Sequence, residues 1–287
     1  FPVDAYINSR RASTDSNFAG TRLTSSSTYL QTNTTDSASN LGGGNGTNNS
    51  IGFASNVGLG VAGDWNDTSV AYIDWAFRRA PGFMDVVCYT GNGTANQSIN
   101  HSLGVTPELV IVKRRSASED WYVGRMSGSI PVTEMRLNTN AASVGNVFVF
   151  PVSQTQITVN YTNPVNGLAL NSDGATYVAY LFASAPGVSK VGSYTGNGSS
   201  QTINCAFTTG ARFVLIKRTD STGDWYVWDS ARGIVAGNDP YLALNSTAAE
   251  VTSNDSVDAD STGFVVNQVA ASNINVNAAT YIFLAIA

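Results

Sequence analysis

The side chains able to do chemistry in this 287-residue chain are few and scattered. His101 is its one histidine, so a Ser-His-Asp or metal-histidine centre would have to be built on it, and no Gly-x-Ser-x-Gly turn accompanies it. Asp120 and Asp224 each directly precede a Trp-Tyr-Val run, where an aspartate opens a turn more readily than it joins a facing pair of catalytic carboxylates. The densest acidic stretch is Asp255-Ser256-Val257-Asp258-Ala259-Asp260. It offers hard oxygen ligands but lacks the glycine and distal glutamate of a helical calcium loop. Cys88 and Cys205 lie in different thirds of the chain and read as free thiols. The sequence therefore supplies no catalytic set, no cofactor site and no metal site, and it reads as non-enzymatic.

What organises the chain is repetition at about 105 residues. Tyr89-Thr90-Gly91-Asn92-Gly93 returns as Tyr194-Thr195-Gly196-Asn197-Gly198, Lys113-Arg114 as Lys217-Arg218, and Asp120-Trp121-Tyr122-Val123 as Asp224-Trp225-Tyr226-Val227. A closing strand recurs three times, around Tyr72, Tyr177 and Tyr281. Three domains follow, at 1–82, 83–187 and 188–287, joined at Phe77–Gly82 and Phe182–Gly187, both ending Ala-Pro-Gly. Short strand-like runs bounded by Gly, Asn, Asp and Pro fill each domain, and no stretch keeps a helical period. The predicted fold is all-β, a tandem of antiparallel β-sandwiches of immunoglobulin-like or jelly-roll-like type. The Gly-Asn-Gly segments are predicted to turn hairpins, and the short joints to hold the domains in line as a rod. Residues 36–50, almost without apolar side chains, read as a loop.

The first domain lacks the opening hairpin that the others carry at Val86–Leu103 and Val191–Phe207. A sandwich without those strands would leave an unpaired edge. The missing strands are expected from upstream, Phe1 not being an initiator Met, or from another molecule. In the first segment Val3, Ala5 and Ile7 alternate with Asp4, Tyr6 and Asn8. Val3, Ala5, Tyr6 and Ile7 are thus the candidate donated or edge strand at a subunit interface.

A net charge of -5 with no basic stripe argues against a nucleic-acid partner. The recurrent Lys-Arg pairs read as a solvated rim. No apolar run is long enough to span a membrane, and no basic-then-apolar leader is present. Sequons at Asn33, Asn45, Asn66, Asn92, Asn160, Asn197 and Asn245 read as a by-product of Asn/Ser/Thr-rich composition. Among the five tryptophans, Trp121 and Trp225 recur and read as core. Trp228 faces Gly124 in the alignment and is the candidate exposed contact for a glycan.

The strings PELVIVKRRSASEDWYV (107–123), ARFVLIKRTDSTGDWYVWDSARG (211–233), YLALNSTAAE (241–250) and ATYVAYLFA (175–183) resemble tandem domains of uncharacterised tailed-phage structural proteins from marine and freshwater phages. The resemblance implies a β-rich, non-enzymatic virion component, and it brings no catalytic or ligand residues. The expected function is a structural subunit of an extracellular fibre or virion appendage, placed extracellularly or on the virion surface. Its expected partners are copies of itself, in a homo-oligomer or helical filament joined by strand complementation. The alternative is a carbohydrate- or receptor-binding protein at a phage fibre tip, with a cell-surface glycan as partner.

Overall fold

The computed structural model describes residues 2–12, 14–24, 28–40, 50–54, 58–128, 130–144, 152–160 and 170–287. The chain is all-β, and three five-stranded antiparallel sheets dominate it. Sheet I runs β4-β3-β2-β1-β7, from β1 (Ala5–Arg10), β2 (Phe18–Thr21), β3 (Thr28–Gln31), β4 (Ser39–Asn40) and β7 (Tyr72–Phe77). Sheet II runs β12-β11-β10-β14-β8, from β8 (Met84–Thr90), β10 (Leu109–Arg114), β11 (Trp121–Ser127), β12 (Ile130–Arg136) and β14 (Thr176–Phe182). Sheet III runs β19-β18-β17-β22-β15, from β15 (Ser189–Thr195), β17 (Phe213–Arg218), β18 (Trp225–Asp229), β19 (Leu242–Ala243) and β22 (Thr280–Ile286).

One face of every large sheet enters a single apolar core. Trp75 and Phe77 from sheet I, Trp121, Tyr180 and Phe182 from sheet II, and Phe213, Trp225 and Leu284 from sheet III all belong to it. Smaller sheets cover the opposite faces. These are β5 (Ser50–Ala54) with β6 (Gly58–Ala62), β9 (Asn96–Asn100) with β13 (Gln156–Asn160), and β16 (Gln201–Asn204) with β21 (Gly263–Val266) and β20 (Val257–Asp260). Each closes a further core, centred on Tyr6 and Ile51, on Tyr122 and Tyr177, and on Trp228 and Phe264. Burial on both faces explains why β10 (LVIVKR) and β17 (FVLIKR) are continuously apolar where a half-solvated strand would alternate.

The sheets close on one another in a ring. Trp121 stands opposite Lys113 and Trp225 opposite Lys217, and Asn17, one residue before β2 and hydrogen-bonded to Ser9, comes at the same position when the β1–β2 register is continued by one residue. Trp121 Nε1 donates to the Gln31 carbonyl at 2.8 Å, and Trp225 Nε1 to the Arg136 carbonyl at 2.8 Å. Asn17 Nδ2 completes the set by donating to the Ala243 carbonyl at 3.0 Å. Backbone bonds follow the same cycle. Glu119 N reaches Thr35 O (2.7 Å), Gly223 N reaches Asn140 O (2.9 Å), and Asp15 N reaches Thr247 O (3.1 Å). In return Ala38 N donates to Arg115 O, Ser143 N to Thr219 O, and Glu250 N to Arg11 O. Sheet III thus bonds back to sheet I, and the expected row of domains in a rod is replaced by a closed cycle.

The Gly-Asn-Gly hairpins are a second correction. β8 pairs with β14 whereas β9 pairs with β13 in another sheet, and β15 and β16 part in the same way. A Cβ on Gly91 would collide with the Ser172 carbonyl, and one on Gly196 with that of Val276. The chain therefore arches tightly against a neighbouring loop as it changes sheet. Asn171 holds the arch by donating to Asn92 Oδ1 (2.8 Å) and Thr94 O (3.0 Å). Of the residues read as a loop at 36–50, Ser39–Asn40 form β4 and 41–49 lie outside the described residues. The strand-like run Asn146–Val152 (NVFVFPV) lies outside them as well, except for Val152.

A chain of ion pairs crosses the seam between sheets III and I. Arg11 grips Glu250 through Nε and Nη2, Glu250 also meets Arg232 at 3.1 Å, and Arg232 meets Asp229 at 2.6 Å. Glu250→Ala removes the carboxylate shared by Arg11 and by Arg232, which is 1% exposed and keeps Asp229, and is expected to destabilise the protein by about 1–3 kcal/mol in urea unfolding. A loss below about 1 kcal/mol would show that this seam contributes little to closure.

Candidate functional site

The structure moves the predicted interface strand. Residues 5–10 form β1, which lies between β2 and β7, paired on both sides. Ala5 and Ile7 join the central core, Tyr6 packs under β5–β6, and Val3 is buried with its carbonyl held by Arg22. Val3, Ala5 and Tyr6 are therefore buried and Ile7 half-buried, and Ala5, Tyr6 and Ile7 stand in a strand paired on both sides within this chain, away from a sheet edge. Alternation along the segment reports one buried face, which an edge strand and a central strand share, and Tyr6 and Asn8 on the other face are buried as well.

The unpaired edge belongs to β7. In sheets II and III the equivalent strands β14 and β22 have a further partner, β8 or β15. Among the described residues β7 pairs with β1 alone. Arg11 N donates to Ala71 O, so by antiparallel alternation the backbone groups of Ile73, Trp75 and Phe77 face β1. Those of Asp74 and Ala76, both exposed residues, face outward. Beside this edge runs a groove of about 390 Å³, lined by Ile73, Trp75, Phe77, Phe83, Phe213 and Ile286 among others. In sheet II the equivalent space holds Met84 and Val86, which pair with Phe182 and Tyr180 and enter the core.

Trp228 is sealed in the core under the third small sheet, 0% exposed, against Tyr226 and Tyr241. It cannot serve as the surface contact predicted for it. Its lack of a counterpart in the second segment reflects repacking of the interior. Trp121 and Trp225 are buried at the seams, as their recurrence implied.

The recurrent Lys-Arg pairs split. The arginines are partly exposed and meet Glu119 and Asp220. Lys113 and Lys217 are 0% exposed, which corrects the solvated-rim reading. Lys113 Nζ donates to Thr35 O (2.8 Å) and Glu119 O (2.6 Å), and Lys217 Nζ to Ala141 O and Arg218 O (both 2.8 Å). Each ammonium cross-links carbonyl groups of two adjacent sheets. Asp120 and Asp224 accept from Asn138 and Asn245, whose carbonyls cap the backbone N–H groups of Trp121 and Trp225. Asn33 plays the same part for Asn17. These asparagines follow β3, β12 and β19 and tie the seam positions in place, so the sequons at Asn33 and Asn245 are structural; that at Asn45 lies outside the described residues.

His101 Nδ1 accepts from Leu103 N, and burial pushes its pKa down. Both cysteines are free. The acidic stretch folds so that Asp255 and Asp258 meet Asp239, with carboxylate oxygens within 4.8 Å of one another. Each is already engaged: Asp239 accepts from Val235 N and Val257 N, and Asn267 Nδ2 bridges Asp255 and Asp258. Burial raises the Asp239 pKa to about 6. Asp260 is turned away, accepting from Thr262. Asp239 could not be foreseen from sequence, standing sixteen residues before Asp255.

Among the described residues no helix is long and apolar enough to cross a membrane. The chain belongs to the family of the domain of unknown function DUF7483, whose model matches residues 4–287. No curated protein and no solved structure matches it.

Burial pushes the Lys113 and Lys217 pKa values down to about 8 from 10.5. Above pH 8 the folded lysines lose protons that the unfolded chain retains, so folding stability should rise with pH. Near pH 9 the cysteines, whose pKa values burial raises, begin to oppose the trend. Thermal melts from pH 7 to 9 are expected to show an upward slope that flattens in the Lys113→Met/Lys217→Met double variant. An unchanged slope would remove the lysines as its origin.

Proposed function

We propose that this protein is a non-enzymatic structural module of an extracellular fibre or virion appendage, built from three copies of one β-unit closed into a ring. The first copy is completed by a strand that pairs with β7 from outside the described residues. The observation that carries the reading is the free edge of β7 beside an apolar groove, in the place that β8 and β15 fill in the other two sheets. Soluble β-proteins protect such edges, and strand addition is the common way of using one. The register specifies the donor: apolar side chains at two alternate positions, opposite Trp75 and Phe77, as Val86 and Met84 stand opposite Tyr180 and Phe182. The distribution of function over backbone pairing, with the polar side chains spent on seams, suits a structural part.

The test is cryo-electron microscopy of native assemblies containing this chain. A strand hydrogen-bonded to Asp74 and Ala76 is the expected result; an assembled particle in which those groups stay unpaired would overturn the proposal. Ala76→Pro deletes the outward N–H while sparing the β1 pairing. It should block assembly yet change the isolated chain's stability by less than about 1 kcal/mol.

A further inference from the structure

In sheet II the chain leaves β8 through Gly91-Asn92-Gly93 and enters β9, so one arch pairs with β14 in the large sheet and with β13 in the small one. The arch from β15 through Gly196-Asn197-Gly198 to β16 does the same for β22 and β21. Among the described residues the first sheet has neither arm: β7 pairs with β1 alone, and β6 with β5 alone. Leu59 and Val61 of β6 pair with Phe53 and Ile51 as Phe264 and Val266 of β21 pair with Ala259 and Val257. Phe264 and Val266, with β16 alongside, are fully buried, whereas Leu59 and Val61 are half-buried.

The residues that would receive an arch are present as well. Tyr72 pairs with Arg10 as Tyr177 does with Arg114 and Tyr281 with Arg218. Tyr177 stacks on Tyr89 of its arch with ring centres 4.9 Å apart, and Tyr281 stacks on Tyr194 at 4.8 Å. Both are buried, while Tyr72 is half-buried. Six residues before each of these tyrosines stands an asparagine: Asn66, Asn171 or Asn275. Asn171 and Asn275 are 0% exposed and bind the turn of the arch. Each accepts through Oδ1 from the backbone N–H of the arch asparagine, Asn92 or Asn197, and donates from Nδ2 to that residue's Oδ1. Asn66 is exposed, and among the described residues its side chain has no hydrogen-bond partner. It offers the same donor and acceptor that its two counterparts spend on an arch.

We infer that the strand added to β7 is one arm of a β-arch whose second arm pairs with β6 and whose turn is bound by Asn66. The inference rests on the strand-addition reading of β7 and extends it to a second sheet. The occupant is a polypeptide segment with the pattern common to residues 84–100 and 189–204. That pattern sets a valine opposite Trp75, a tyrosine opposite Tyr72, Gly-Asn-Gly at the turn and an isoleucine opposite Leu59. The first glycine is required because the turn passes against a carbonyl, that of Ser172 or Val276, and Asp67 stands at their place before Tyr72.

The experiment adds two synthetic peptides to the whole chain, residues 84–100 as the arch and 84–90 as the single strand, both kept reduced. Binding is followed by calorimetry and by amide hydrogen exchange. The arch peptide is expected to bind saturably, one per chain and about tenfold tighter than the strand peptide, and to protect amides of β6 together with those of Asp74 and Ala76. Asn66→Ala should weaken the arch peptide about tenfold, the effect of losing about two hydrogen bonds, and leave the strand peptide unchanged. If the strand peptide binds as tightly as the arch with protection confined to β7, or if Asn66→Ala leaves both affinities unchanged, the arch is overturned and strand addition stands. If neither peptide binds saturably, both are overturned.

Discussion

Everything in this structure depends on how each large sheet satisfies the end of its neighbour's outer strands. The carbonyl groups of Gln31, Arg136 and Ala243 occupy equivalent positions beside a side-chain N–H from the next sheet, supplied by Trp121, Trp225 or Asn17. A buried carbonyl without a partner costs about 1–3 kcal/mol, so three such bonds are conditions of assembly as much as gains. With their flanking backbone bonds they join each large sheet to the next, and the third junction returns to sheet I. The central core is the consequence: once the ring is closed, the inward face of every sheet is dry.

Closure also explains where charge is tolerated inside. Lys113 and Lys217 are tolerated at the seams because their ammonium groups find several carbonyls at once, which offsets part of the desolvation that still holds their pKa values down. The first sheet solves the same problem with smaller groups, Ser9 Oγ donating to Asn17 Oδ1 at 2.6 Å. Its seam instead carries the Arg11–Glu250–Arg232–Asp229 chain. Seams alike in backbone have thus diverged in side chain.

The free edge of β7 is the complementary feature. The ring satisfies the sheets laterally, yet sheet I has β4 at one border and, at the other, β7, which among the described residues pairs with β1 alone. Asp74 and Ala76 point their backbone groups outward beside a groove walled by Phe77, Phe83 and Phe213. Backbone demand and apolar surface coincide there, which is the combination a strand satisfies and a small ligand does not.

The sequence by itself determined the class of secondary structure and the burial of Trp121 and Trp225. Both rest on local chemistry: turn residues between short runs, and β-prone, aromatic strands. Tertiary structure alone decided what those runs do. Alternation in Val3 to Ile7 fits a half-buried strand, but whether it lies at an edge depends on β2 and β7 arriving from distant parts of the chain. Gly91-Asn92-Gly93 has hairpin composition, and only the nearness of Ser172 makes it an arch between sheets. Trp228 reads as a copy-specific surface residue because its counterpart is a glycine, and a third small sheet covers it. The ring itself was illegible for the same reason: short joints constrain neighbours along the chain, whereas closure requires residues 15–17 to meet 243–250, a contact no local pattern encodes.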